Sequence, residues 1–180
     1  MWRGLWQQRG MPNTVRAWTL RKAREADAPK LAELKIATWK TVYKGVAPDE
    51  VLKALDAKAE AEKFRKHIAA ERENVLVAES RDGLIGYAVT AFSGAEGATG
   101  ELVSLYVLPA SIGAGVGQQL FDMALTDLAE LGAGEAFLWV LEANARARAF
   151  YEHHGFKDDG GRKECEELRK PAMRYRRRVE

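Results

Sequence analysis

Cysteine is nearly absent: Cys165 is the only one in 180 residues, so no internal disulfide can form, which fits a reducing compartment. A surplus of one charge is missing too, since 28 basic and 26 acidic residues leave a formal net charge of +2. Nothing in that balance calls for a polyanion, and the basic end "RYRRR" (Arg174 to Arg178) reads as one strand with a solvated face. No nucleic-acid partner is expected. No apolar run approaches the length of a membrane span, and the start "MWRGLWQQRGMPN" lacks the continuous apolar segment of a secretory signal. The expectation is a cytoplasmic protein with no membrane partner. His67, His153 and His154 have no second ligand cluster at metal spacing, and the last two suit the dipole at a helix end. No metal is expected, and there are no internal repeats or low-complexity blocks.

What is present suffices for one core: 47% of residues are hydrophobic and 30% charged, and the length argues against two full domains. A single domain over residues 14–180 is expected. Met11 begins a more ordinary-looking start, so residues 1–13 are read as a disordered tail or an over-extended reading frame.

"VRAWTLRKA" (Val15 to Ala23) alternates as a half-buried strand, and Asp27 stands where it could cap a helix through "APKLAELKIATWKTVY". Gly45 and Pro48 break that helical region, which resumes through Phe64 and Ile68 and ends near residue 70. Two antiparallel strands, 74–80 and 84–92, follow around the turn Arg81-Asp82-Gly83. Then come a loop, a strand at 101–108, a glycine loop, and a helix with Val116, Leu120, Ala124, Leu128 and Leu131 on one stripe. "AFLWVL" (Ala136 to Leu141) is continuously apolar, as a strand covered on both faces would be. Asn144 and Gly155 bracket another helix, and the last strands are placed at 156–159 and 172–179. The order β-α-α-β-β-β-α-β-α-β-β predicts an α/β (α+β) fold, a mixed sheet of about seven strands with helices on both faces.

The stretch "VLPASIGAGVGQQLF" (residues 107–121) carries a candidate ligand site. A loop leaving a strand and opening a helix gathers unpaired backbone N–H groups at the positive end of the helix dipole, and glycine lets an anion approach that backbone. The dinucleotide fingerprint fails, because Gln118 stands where its third glycine belongs, and no Gly-Lys-Ser/Thr is present. A tight strand-to-helix connection with no ligand is the other reading of the glycines alone.

"ELVSLYVLPASIGAGVGQQLF", "WVLEANARARAFYEHHGF" and the element order together resemble the GCN5-related N-acetyltransferase (GNAT) superfamily, over roughly Val15 to Val179. The resemblance implies a mostly antiparallel sheet with one splayed parallel pair, here 101–108 and 136–141. Acetyl-coenzyme A would be the cosubstrate, its pyrophosphate on the loop and its pantetheine between those strands. The cofactor-binding residues so implied are Leu105, Tyr106, Val107, Ile112, Gly113, Ala114, Gly115, Val116, Gly117, Gln118, Asn144, Arg148 and Tyr151. The family usually has Arg or Gln at Ile112 and often a basic residue at Ala114. Losing one charge-assisted hydrogen bond of about 1.5–3 kcal/mol would weaken binding roughly ten- to a hundredfold unless Gln118 or Arg148 compensates.

The implied chemistry is acetyl transfer to a primary amine of a small molecule or peptide. A primary amine has a pKa of about 10, so a base must take its proton. Glu101 is the candidate, against a merely solvated strand end. A backbone N–H near Val107 would meet the oxyanion, and Tyr151 would protonate the departing thiolate, against a role as core aromatic. Asn144 holds pantetheine or caps its helix. Cys165 lies outside both motifs, which favours direct transfer in a ternary complex. Trp39 and Tyr43, four apart on one helix face, are candidate acceptor residues, with Asp49, Glu50 and "KECEELRK" nearby; core packing is the competing reading. A non-catalytic acyl-coenzyme A sensor of the same fold is the alternative function, and a homodimer is compatible with the class.

Overall fold

Seven strands form one sheet in the order β1-β2-β3-β4-β5-β7-β6 in the computed structural model, which describes residues 17–93 and 98–179. They are β1 (Trp18–Lys22), β2 (Glu73–Ser80), β3 (Gly83–Ser93), β4 (Thr99–Val107), β5 (Glu135–Leu141), β6 (Lys157–Cys165) and β7 (Lys170–Arg178). The helices are α1 (Ala28–Val42), α2 (Asp49–Lys53), α3 (Ala57–Ala69), α4 (Val116–Glu130) and α5 (Ala145–His153). The expected α/β fold and element order are therefore observed; the reading of residues 1–13 lies outside the described residues.

Each strand's alternation sends its apolar residues to two covers. On one face, Leu76, Ala78, Ala88, Leu102, Ala136 and Leu138 pack under the stripe Val116, Leu120, Phe121, Ala124 and Leu128 of α4, with Tyr151 and Phe156. On the other, Val75, Val77, Tyr87 and Val89 meet Leu31, Leu34, Ala61 and Phe64 of α1 and α3. A third cluster joins Trp39, Tyr43 and Leu52 to Leu141, Leu168 and Ala172, so the turn between β6 and β7 is anchored to the end of α1. Among the described residues no helix is long and apolar enough to cross a membrane.

All pairings are antiparallel but one. β4 and β5 run parallel and pair only from Thr99↔Glu135 to Leu102↔Leu138. Beyond that the strands separate, for a local reason: the β3–β4 register shifts between Val89 and Thr90, which pair with Ser104 and Leu102. Val103 is the extra residue, and such a bulge bends and twists its strand.

Three expectations need correction. Asp27 does precede α1, but its carboxylate turns back to the Arg24 N–H at 2.7 Å and to Arg21 and caps no α1 amide. The short 3-10 turn Glu25–Asp27 has already put Asp27 in helical conformation. β5 is not covered on both faces throughout: Phe137 and Trp139 are half-buried and alternate with buried neighbours. β6 extends to Cys165, well past the expected 159, because "KDDGGRKEC" is an edge strand with almost no apolar residue to betray it.

Candidate functional site

The gap between β4 and β5 opens into two cavities that share a wall. One, of about 420 Å³, runs along the glycine loop and is lined by Val107, Ile112, Gly113, Gly115, Gly117 and Gln118, with Arg146 and Phe150 from α5. The other, of about 450 Å³, lies on the α1/α3 side, under the β6–β7 turn, against Trp39, Glu101, Trp139 and Lys163. Leu105, Tyr106, Asn144, Ala147 and Tyr151 line both. A ligand in the first cavity and one in the second would meet at Tyr151.

The loop has the form of an anion cradle. Gly113 and Gly115 have φ of 89° and 83°, the left-handed region that favours glycine. A Cβ at either would meet nothing within 4 Å, so both backbones face open space. Gly115 is the N-cap of α4, and the first-turn amides of Val116, Gly117 and Gln118 have no acceptor inside the helix. The Leu108 N–H donates to Ile85 at 2.8 Å; by strand alternation the Val107 N–H points the other way, toward β5, where the ladder has ended.

Side chains at the cradle differ from the expected set. Val116 is buried in the core, so only its amide is available, and Ala114 is exposed but does not line the cavity. Gln118 is engaged elsewhere: its amide donates to Asp122 at 2.8 Å and its oxygen lies 2.6 Å from His154 Nε2. Arg148 points to Met173, with Nη1 3.8 Å from Sδ, and lines neither cavity. Arg146, two residues earlier, is exposed and lines the groove. Its helical phase was readable, but only the position of the groove decides between the two arginines.

At the junction Tyr151 is 9% exposed. Burial pushes its hydroxyl well above the ordinary phenol range, with nearby Tyr43 adding to the effect, so it stays a neutral donor. Asn144 caps α5, its Oδ1 accepting from the Ala147 N–H at 3.1 Å, and it also lines both cavities. The two sequence readings of Asn144 are thus not exclusive. Glu101, half-buried in the larger cavity, is held above the usual carboxylate range, first by burial and then by the charge of Glu73, with Lys163 opposing.

Trp39 and Tyr43 line the larger cavity and are also core: they are 4% and 6% exposed and meet edge to face with centroids 5.5 Å apart. The segment from Lys163 to Leu168 roofs it, including Cys165, which the fold brings inside although it lies outside both sequence motifs. Asp49 and Glu50 do not line it. Sequence reasoning missed an ionic cluster in its wall: Glu60 accepts from Lys35 and Lys63, each at 2.8 Å, and Glu167 from the same two lysines at 3.4 and 2.7 Å. Its signal was Lys35 at the i+4 position of Leu31 and the i−4 position of Trp39, a charge on a buried stripe. The β7 arginines Arg174 and Arg176 are ion-paired to Asp159 at 2.7 and 3.2 Å.

A splayed parallel pair with an amide cradle on one side and a cavity on the other fits the acyltransferase class that the sequence resemblance implies. The family described as "Acetyltransferase (GNAT) family" matches residues 37–156, and the chain belongs to it. It is similar to an uncharacterized N-acetyltransferase of Mycobacterium tuberculosis, 31% identical over 137 residues, 76% of this chain and 86% of that protein. It also resembles the mycothiol acetyltransferase of Beutenbergia cavernae, 48% identical over 61 residues, 34% of this chain and 20% of that protein. Its fold is similar to that of the PaiA N-acetyltransferase of Thermoplasma acidophilum solved with coenzyme A, with a TM-score of 0.75 and 23% identity, covering 87% of this chain and 97% of that one. The chain is accordingly an N-acetyltransferase.

Proposed function

We propose that the chain transfers the acetyl group of acetyl-coenzyme A to a primary amine of a small molecule or peptide, by direct attack in a ternary complex. The observation that carries this reading is the shared wall: the groove beside the glycine loop and the larger cavity meet at Tyr151. The open space at Gly113 and Gly115 fits a diphosphate, and the loop amides need no particular side chain to bind it. Arg146 supplies the cation that Ile112 does not.

The residues divide the work as follows. Glu101 accepts the proton of the amine, and its raised pKa makes it a stronger base than an ordinary carboxylate. The nitrogen then forms its bond to the carbonyl carbon while the carbon–sulfur bond breaks. The Val107 N–H faces the carbonyl oxygen as negative charge builds on it. Tyr151 donates its hydroxyl proton toward the departing sulfur. The ionic cluster of Lys35, Glu60, Lys63 and Glu167 is internally balanced, so Glu101, Glu164 and Glu166 against Lys163 leave the larger cavity negative, which favours a cationic amine over an anionic acceptor.

The test is thiol release from acetyl-coenzyme A over a panel of polyamines, amino acids, aminoglycosides and peptides with free N-termini, beside calorimetry of coenzyme binding. Turnover with at least one amine is expected, and Tyr151→Phe should lower kcat on the order of tenfold or more with the coenzyme Kd little changed. Tight binding without turnover across the panel would instead make the chain an acyl-coenzyme A sensor.

A further inference from the structure

The hydroxyls of Tyr43 and Tyr106 lie 3.0 Å apart, and Tyr106 is one of the few residues that line both cavities. Whichever hydroxyl donates across that contact, the accepting one keeps its own proton, because a phenol is both donor and acceptor. Two hydroxyl protons then remain for the pair. One spans the Tyr43–Tyr106 contact; the other, on whichever hydroxyl accepts, has no acceptor among the hydrogen bonds of the described residues. Burial pushes both phenols above their ordinary range, so neither proton is lost to solvent near neutral pH.

A buried network with one unclaimed donor is incomplete until something accepts from it. Tyr106 sits on β4 one residue before Val107, on the face that α1 covers. The unclaimed proton therefore lies beside the wall that both cavities share with Tyr151, where a thioester between them would pass.

We infer that the Tyr43–Tyr106 hydroxyl pair is a catalytic hydrogen-bond donor to the thioester carbonyl oxygen, acting beside the Val107 amide as negative charge accumulates there. This rests on the acyl-transfer reading above and adds to it a donor that no backbone feature supplies. The pair acts as a unit: in either single Phe variant the surviving hydroxyl still holds a proton, displaced from its place, whereas the double variant holds none.

The experiment measures kcat, the coenzyme Kd and the pH–rate profile of wild type, Tyr43→Phe, Tyr106→Phe and the double variant with one accepted amine. Loss of a preorganised oxyanion donor costs about a hundred- to a thousandfold in kcat, which is expected of the double variant, with each single variant near tenfold. The coenzyme Kd should stay within about twofold and both limbs of the pH profile should stay in place, because a donor to a carbonyl does not bind the ground state strongly or titrate. A double variant within about threefold of wild type overturns the inference, as does a loss confined to the coenzyme Kd or a displaced pH limb. If the double variant does not fold, Tyr106→Phe with undiminished kcat overturns it alone. Wild type that binds the coenzyme and turns over no amine overturns the acyl-transfer reading and this inference with it, whereas wild-type turnover with unaffected variants overturns this inference only.

Discussion

Replacing Glu60 by glutamine removes one anion from the cluster that joins α1, α3 and the β6–β7 turn. The Glu60 side chain is 6% exposed and that of Lys35 11%, so the pair is shielded from water, whereas Lys63 and Glu167 are each 49% exposed and their mutual bridge contributes little. Without Glu60, Lys35 retains only Glu167 at 3.4 Å, and its ammonium rests over the Trp39 ring at 4.3 Å. Removing one partner of a buried pair costs about 3–5 kcal/mol, because the other charge stays buried and uncompensated. Glu167 and the Trp39 face soften that, so Glu60→Gln is placed at the lower end, about 3 kcal/mol. For a chain of this length that corresponds to a fall in Tm of roughly 6–12 °C. The assay is urea denaturation, read as a lower midpoint at unchanged slope. The decisive comparison is Lys35→Met with Glu60→Leu, which removes both charges and restores apolar packing. That double variant should lie within about 1 kcal/mol of wild type. A cost below about 1 kcal/mol for Glu60→Gln, or a double variant as unstable as the single, would refute the view that the unpaired Lys35 charge carries the penalty.

Arg146→Ala should weaken acetyl-coenzyme A binding by roughly tenfold in calorimetry, whereas Arg148→Ala should leave the Kd unchanged; the reverse order would return the phosphate contact to Arg148. Gly100→Ala would bring a Cβ to 2.6 Å from Leu128 Cδ2 and is expected to cost about 1–3 kcal/mol by forcing α4 away from β4; a variant as stable as wild type in a thermal scan contradicts that packing. Glu101 has a folded-state pKa above its unfolded value, so the folded chain holds the proton longer, and stability falls as pH rises from the ordinary carboxylate pKa through the raised one. Glu101→Gln should therefore be more stable than wild type at neutral pH, with the gain vanishing at acid pH. It should also lower kcat about a hundredfold or more and abolish the acid limb of the pH–rate profile; an unchanged limb removes Glu101 as the base.

Those residues were not equally visible in the chain. Alternation placed β1, a continuous apolar run placed β5, and the 3.6-residue stripe of Val116, Leu120, Ala124 and Leu128 placed α4, because such patterns report burial. β6 was shortened because an edge strand facing solvent has little apolar periodicity to read. Arg148 was preferred to Arg146 because composition marks a cation and not its direction, and a rotation of two residues on α5 turns one toward Met173 and the other into the groove. Lys35, Glu60 and Glu167 were hidden by separation: they come together only when α1, α3 and the β6–β7 turn close over the same face.

The feature that makes the site is the least legible of all. Residues 101–108 read as an ordinary strand, and nothing in "ELVSLYVL" marks Val103 as the residue without a partner. Yet that one extra residue bends β4 just past Leu102, where its pairing with β5 stops. Past the bulge, alternation aims Leu105 and Val107 amides into the gap and turns the Tyr106 ring toward Tyr43. Deleting Val103 should thus do more than shorten a loop. Glu101 and Tyr106 would stay on one face, because without the extra residue plain alternation runs through Leu102 and Ser104, but the bend would be lost, and β4 would continue its ladder with β5 and close the gap. A Val103 deletion variant that folds is expected to bind acetyl-coenzyme A weakly and to release no thiol with any amine. Near-normal turnover from it would mean that the separation of β4 from β5 is imposed from elsewhere in the sheet.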